Sequence, residues 1–178
     1  MRIVGGKYRG RVLADVNVDG VRPTSDMARE SLFNILQFKI FGAEVLDLFC
    51  GTGAIGIEAL SRGAKKVTFN DASRQSLLIL KKNLAKLKVD EPFVIKNTDA
   101  LTLLKSTSDK FDIVYIDPPY KSDLKESAVA LSKEVIKDNG IIILEDEVAF
   151  EGKIKGLKIT DQRKYGRVKL TFFMKEDN

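Results

Sequence analysis

An α/β fold built on a mostly parallel sheet follows from three observations in this sequence. Short apolar runs of strand length recur across residues 44–145, longer segments of helical spacing separate them, and the first run ends in a glycine-rich turn. A chain of 178 residues is near the size of one domain and long enough to bury a single core. The expected division is a basic N-terminal extension over residues 1–20 and one main domain over residues 21–178.

The expected parallel strands run from Glu44 to Leu48, Lys66 to Asn70, Phe93 to Lys96, Phe111 to Ile116 and Gly140 to Glu145. Helices are expected from Ser25 to Phe38, Ala54 to Arg62, Ser73 to Leu87 and Ser122 to Lys137. The first opens on the capping candidates Thr24, Ser25 and Asp26, and the third carries apolar positions at Leu77, Leu80, Leu84 and Leu87. A short helical stretch, Leu101 to Leu104, follows the third strand. Beyond Glu145 two apolar stretches, Ile154 to Ile159 and Lys169 to Met174, are joined by the polar residues Thr160 to Val168 with Gly166 at the turn. They predict a closing antiparallel hairpin, for seven strands in all. The opening RIVGGKYRGRVL alternates around two glycine sites and predicts a small basic β-hairpin extension.

Composition narrows the chemistry. With no histidine, neither a Ser-His-Asp nor a Cys-His nucleophile can be built, nor a histidine-ligated metal site, and none is expected. Cys50, the single cysteine, sits between Phe49 and Gly51 as a small apolar filler. The net charge of +5 is unevenly spread: residues 1–13 hold Arg2, Lys7, Arg9 and Arg11 and no acid. Phosphate is the natural partner of such a cluster, although a solvated basic terminus has the same composition. No signal-peptide pattern and no apolar run of bilayer length are seen, so a soluble cytoplasmic protein without membrane contact is expected.

The run FDIVYI delivers Asp117-Pro118-Pro119-Tyr120 to the loop after a buried strand. An exocyclic amine on a nucleobase is conjugated to its ring, so its lone pair attacks poorly until acceptors draw its protons aside. The Asp117 carboxylate and the Pro118 carbonyl, on a backbone stiffened by consecutive prolines, supply acceptors, and Tyr120 supplies a stacking face. Pro-Pro after a strand is also plain turn punctuation.

The first strand runs into Asp47-Leu48-Phe49-Cys50-Gly51-Thr52-Gly53-Ala54-Ile55-Gly56. Its glycines allow a sharp turn and close approach of a ligand, and both dinucleotide and S-adenosylmethionine sites use such a loop with an acid after the second strand. Asp71 supplies that acid, placed to accept from ribose hydroxyls. Asp47 decides between the two: a carboxylate at the mouth of the loop repels a pyrophosphate and favours an ammonium and a sulfonium. Asp99, followed by Ala100, is placed for an adenine amine. Each acid has a structural alternative as well: Asp47 as a loop anchor or helix cap, Asp71 as the cap of the helix near Ser73, and Asp99 as the cap of its own helix.

On these residues the chain resembles the class I S-adenosylmethionine-dependent methyltransferases, which have a Rossmann-like fold. It resembles more closely the RsmD family, which methylates the N2 amine of a guanine in small-subunit ribosomal RNA. The resemblance rests on Arg2-Ile3-Val4-Gly5-Gly6 with Arg9-Gly10-Arg11, on Arg22-Pro23-Thr24, on Arg29-Glu30-Ser31-Leu32-Phe33-Asn34, and on Asp47 to Gly53. It continues through Glu58-Ala59-Leu60-Ser61-Arg62-Gly63-Ala64, Asp117 to Tyr120, and Tyr165-Gly166. It implies that Asp47, Gly51 and Gly53 hold the methionine end of S-adenosyl-L-methionine, Asp71 its ribose, and Asp99 with Ala100 its adenine. Asp117, Pro118, Pro119 and Tyr120 would hold the target base, and Arg2, Lys7, Arg9, Arg11, Arg22 and Arg29 the RNA phosphates. The implied partner is ribosomal RNA, within a partly assembled small subunit or alone. The chain departs from the family at Asp71, where glutamate is more frequent, at Asn70, where an apolar residue is usual, and at Met27, where a basic residue is frequent. An adenine or cytosine amino-methyltransferase on DNA or RNA would keep the same catalytic residues, and a non-catalytic RNA-binding assembly factor could keep the same fold.

Overall fold

A computed structural model describes residues 1–14, 26–119 and 123–176. Arg22 and Tyr120, with the capping candidates Thr24 and Ser25, lie outside the described residues. In chain order the elements are α1 (Asp26–Ile35), β1 (Glu44–Asp47), α2 (Ala54–Ser61), β2 (Lys66–Asn70), α3 (Arg74–Leu87), β3 (Phe93–Lys96), α4 (Ala100–Ser106), β4 (Phe111–Ile116), α5 (Leu124–Val135), β5 (Ile136–Asp146), β6 (Leu157–Tyr165) and β7 (Val168–Lys175). The strands form a 7-stranded sheet in the order β3-β2-β1-β4-β5-β7-β6. The first five are parallel, and β7 and β6 close the edge antiparallel.

The central strands are apolar because both sheet faces are covered. Val45, Val67, Ile113, Tyr115, Ile143 and Phe172 pack with Leu32, Ile57, Leu60 and Leu80 on one side. Leu46, Val114, Ile116, Ile142 and Phe173 pack with Leu103, Leu104, Ala128 and Val129 on the other. Parallel strands joined by helices bring every β-to-α loop to one edge of the sheet, and that edge carries the Asp47, Asp71, Asp99 and Asp117 positions.

Four elements depart from expectation for physical reasons. Helix α1 stops at Ile35, because the Leu36 carbonyl accepts from both Lys39 and Ile40 and folds the chain into a tight turn that leaves Phe38 exposed. Helix α5 stops at Val135: Ile136 is extended and pairs with Phe111, and Lys137 reaches Glu44 and Asp112, so β5 starts earlier than its apolar run. Strand β6 runs on to Tyr165 through residues expected to be a connection, since an edge strand with a solvated face needs little apolar alternation. The remaining turn is Gly166–Arg167, with Gly166 at φ 61°, as hairpins with glycine first in a two-residue loop require.

The basic N-terminal segment forms a small antiparallel turn structure with one bridge, Arg2 to Val12, and buries Ile3, Tyr8 and Leu13 in the main core. Its anchor is Glu58 of α2, fully buried, whose carboxylate accepts from the Val4 and Gly5 amides at 2.9 and 2.8 Å. Gly6, at φ 75°, stands where a Cβ would meet the Ser61 carbonyl at 1.8 Å, so only glycine fits. Arg29 is a correction. It was expected to contact phosphate, but its guanidinium is fully buried, donating to the Arg2 carbonyl at 2.5 Å and Asp26 at 2.7 Å with Glu58 at 3.8 Å. Lys7 is similarly engaged, pairing with Asp90 and Glu91, whereas Arg2, Arg9 and Arg11 are exposed.

Candidate active site

Strand β1 ends at Asp47, in register with Tyr115 of β4, which in turn pairs with Ile143 of β5. Two residues further along these strands come Asp117 and Glu145, so side-chain alternation turns one set of acids toward the same face of the sheet edge. Asp47 is 2 % exposed and its Oδ2 accepts from the Gly56 amide at 3.0 Å. That bond gives α2 the cap its glycine N-cap cannot supply, so the loop-anchoring role of Asp47 is real and coexists with its position at the ligand edge. Burial, with Asp71 and Glu145 nearby, pushes the Asp47 carboxyl up to about 7 despite the Gly56 hydrogen bond.

Asp71 fastens the glycine loop. One oxygen accepts from Gly51 N and the other from Ser73 N, both at 2.8 Å, while each keeps a further lone pair for a ligand. The cap of α3 is Ser73 itself, which accepts from Ser76 N. Asp99 is exposed and caps α4 through Thr102 N at 2.9 Å, a bond that holds its carboxyl below the usual range. Ala100 behind it is buried. Gly51 and Gly53 take φ 52° and 90°, and a Cβ at Gly51 would meet nothing within 4 Å, so the loop faces open space there. Cys50 is buried and its thiol is pushed up by burial, which keeps it inert as expected.

Asp117 follows β4 directly, half-buried, with Pro118 buried and Pro119 exposed. Desolvation, then the neighbouring Glu145, Asp47 and Asp146, drive its carboxyl well above the ordinary range. Behind it Tyr115 donates its hydroxyl to Glu145, both side chains being buried. Tyr115 and Glu145 were not singled out from sequence. The signal was there, in a tyrosine and an acid at the ends of two otherwise apolar buried strands, where each needs a polar partner.

This donor set suits a cationic, hydroxyl-bearing ligand such as S-adenosyl-L-methionine. Several carboxylates raise one another's proton affinity at one sheet edge, a glycine loop stands open beside them, and Asn70 keeps a buried amide oxygen with no partner among the described residues. Its amide nitrogen donates to the Leu48 carbonyl at 3.0 Å, which explains a polar residue at this strand end.

The family described as Conserved hypothetical protein 95 matches residues 1–174. This chain belongs to that family, the RsmD family. The RsmD relative from Haemophilus influenzae, named Ribosomal RNA small subunit methyltransferase D, is 43% identical over 152 residues, 83% of this chain and 79% of that protein. The Escherichia coli K12 protein of the same name is 40% identical over 150 residues, 83% of this chain and 75% of that one. The solved yhhF protein of Escherichia coli superposes with a TM-score of 0.87 at 35% identity, covering 99% of this chain and 98% of that chain. The RsmD chain has the Rossmann-like class I methyltransferase fold, with its C-terminal antiparallel hairpin.

An expected result follows for Asp47. On the reading that a cationic cofactor binds beside Asp47, the cation would favour the ionised form, so cofactor affinity should rise with pH through about 7, by up to roughly tenfold between pH 6 and 8. Titration calorimetry checks this, and Asp47→Asn should remove the rise; equal profiles for both proteins would separate Asp47 from the cofactor's charge. The sign for stability is opposite. With a folded pKa above the unfolded value of about 3.9, the Asp47 contribution is fully present below pH ~4 and is lost as pH rises through about 7.

Proposed function

We propose that this protein is an S-adenosyl-L-methionine-dependent methyltransferase acting on the exocyclic N2 amine of a guanine in small-subunit ribosomal RNA. The observation that carries the reading is the placing of Asp47 and Asp117 at neighbouring strand ends beside an open glycine loop. Methyltransferase D relatives at 43% and 40% identity support ribosomal RNA as the substrate class. The resemblance of the glycine-rich basic opening, Arg2 to Arg11, and of Arg22-Pro23-Thr24 to the RsmD family supports the guanine amine, which the Asp117 to Tyr120 motif alone does not distinguish from other nucleobase amines. No helix among the described residues is long and apolar enough to cross a membrane. A ribosomal RNA substrate, alone or within a partly assembled small subunit, places the enzyme in the cytoplasm.

When bound, the cofactor supplies an electrophilic methyl group on a sulfonium. Asp47, Gly51 and Gly53 hold its methionine end, Asp71 its ribose, and Asp99 with Ala100 its adenine. Asp117 and the Pro118 carbonyl accept from the amine, turning its lone pair out of conjugation, with Pro119 stiffening the turn and Tyr120 stacking on the base. The N–C bond would form as the methyl–sulfur bond breaks and the sulfur leaves as a neutral thioether; the nitrogen would give up its proton, to water or to Asp117, only as that bond forms, so Asp117 orients rather than deprotonates in advance. A base paired in a helix must first be extruded, at a few kcal/mol. Arg2, Arg9, Arg11 and Arg22 set affinity for the RNA backbone rather than the choice of base.

The test is direct. The protein is incubated with labelled cofactor and, separately, rRNA, small-subunit particles and DNA, and the products are digested to nucleosides. N2-methylguanine from RNA is expected. N6-methyladenine as the sole product would remove the guanine assignment, and an absence of transfer to every substrate would leave a non-catalytic RNA-binding factor.

A further inference from the structure

Strand β7 runs antiparallel to β5, so its first residues return to the edge where β5 ends: Lys169 lies opposite Asp146, and Leu170 opposite Glu145. Strand β6 ends at the same edge, with Tyr165 opposite Val168 and Lys164 opposite Lys169. The tip of this hairpin therefore stands beside the acids described above, on the flank away from β1 to β3. Arg163, Lys164 and Arg167 are exposed and Lys169 half-exposed.

The charges on this tip are unusual in their pairing. Lys164 and Lys169 are direct cross-strand partners, on the face that also carries Asp146 and Lys125. Like charges directly opposite one another in an antiparallel pair destabilise it. Asp146, the one acid in the same row, is taken by Lys125. Arg163 pairs with Asp161 at 2.8 Å. Among the described residues no carboxylate pairs with Lys164, Arg167 or Lys169. Meanwhile the other face of the tip is fixed, since Tyr165 and Val168 pack on the core and Gly166 sets a tight turn. A rigid turn that holds cations together without an internal anion suits an external one.

We propose that Lys164, Arg167 and Lys169 bind backbone phosphates of the RNA next to the target base and seat it on the catalytic edge. This rests on the reading of the protein as an RNA methyltransferase. The N-terminal segment packs along α2 and α3, its turn lying by Ser61 and Asp90 at the far end of those helices, whereas the hairpin tip stands at the catalytic edge itself, on the β5 side, so RNA bound there meets the tip's cations next to the target base. A phosphate between Lys164 and Lys169 relieves their repulsion, so the anion is favoured by the same arrangement that weakens the free hairpin.

The test compares wild type with the triple variant Lys164→Ala, Arg167→Ala, Lys169→Ala on small-subunit RNA. The expected result is a KM for RNA raised about tenfold or more and a shallower dependence of RNA affinity on salt, the slope falling by about 0.7 to 0.9 for each phosphate the variant no longer neutralises. The KM for cofactor and the kcat at saturating RNA should stay unchanged. Lys164→Ala alone should raise the thermal midpoint slightly while weakening RNA binding, two readouts that a purely structural lysine would not move in opposite directions. Lys164→Arg with Lys169→Arg should keep wild-type affinity, and Lys164→Gln with Arg167→Gln repeats the loss in a milder background. An RNA KM and salt slope equal to wild type, in a wild type that methylates RNA, would overturn the inference and leave the functional reading intact. A wild type that transfers no methyl group to RNA would overturn both.

Discussion

Asp117→Ala will lower kcat for methyl transfer by about 10³-fold, on the order of 4 kcal/mol of transition-state stabilisation, and leave cofactor affinity within roughly tenfold of wild type. In the proposed mechanism the carboxylate orients the attacking amine, and orientation is the main assistance a neutral nitrogen nucleophile needs. Asp117→Asn is the sharper variant, because it keeps shape and removes the charge. Burial and the neighbouring Glu145, Asp47 and Asp146 hold the Asp117 carboxyl well above its ordinary range, so the ligand-free protein is most strained when this group is ionised. A raised folded pKa means that the contribution to stability is fully present below pH ~4 and is lost as pH rises through the folded value. Asp117→Asn should therefore melt higher than wild type at pH 8 while transferring methyl groups far more slowly. Single-turnover rates and thermal melts at pH 6 and 8 check both halves. Turnover near wild type would refute the role, and an unchanged or lower midpoint at pH 8 would refute the electrostatic strain.

What could be read in advance was whatever lay within one element. The strands Lys66–Asn70, Phe93–Lys96 and Phe111–Ile116 coincide with their apolar runs, and Asp99 caps as its residue type suggests, whereas the cap of α3 is Ser73 and not Asp71. The existence of β6 was legible but its extent, Leu157–Tyr165 in place of Ile154 to Ile159, was not, because an edge strand is polar on its solvated side; the strand start at Ile136 was hidden because its partner Phe111 lies across a loop and a helix. The sheet order brought Asp47, Asp71 and Asp117 to one edge, but the proximity of Glu145 and Tyr115 depends on register between strands, which no local pattern encodes. Arg29 was misread for the same reason. An arginine in a basic N-terminal region looks like a phosphate ligand until its buried partner Glu58 is placed beside it.

Glu58→Ala will destabilise the fold by about 3–5 kcal/mol, the usual effect of stranding one member of a buried ion pair. Glu58 is fully buried and serves four groups at once: the Val4 and Gly5 amides, the Arg62 guanidinium at 2.8 Å, and Arg29 at 3.8 Å. Its removal leaves Asp26 as the one carboxylate paired with Arg29 among the described residues, in a dry site where Nε and Nη1 already lack a hydrogen-bond partner, and leaves two backbone N–H groups unsatisfied. At about 2–4 °C per kcal/mol for a domain of this size, the thermal midpoint should fall by roughly 10 °C. Because the groups are buried, added salt should restore little of it. Glu58→Gln keeps an acceptor for the amides and loses the charge, so it should fall between wild type and alanine. On the proposed reading, the function affected below the melting point should be RNA affinity more than cofactor affinity, since Glu58 holds the segment bearing Arg2, Arg9 and Arg11, whereas the glycine loop is held by Asp47 and Asp71. Urea unfolding with cofactor and RNA titrations at 20 °C measures all three quantities. A loss below about 1 kcal/mol would show that the N-terminal segment docks through Ile3, Tyr8 and Leu13 and that the buried carboxylate is dispensable.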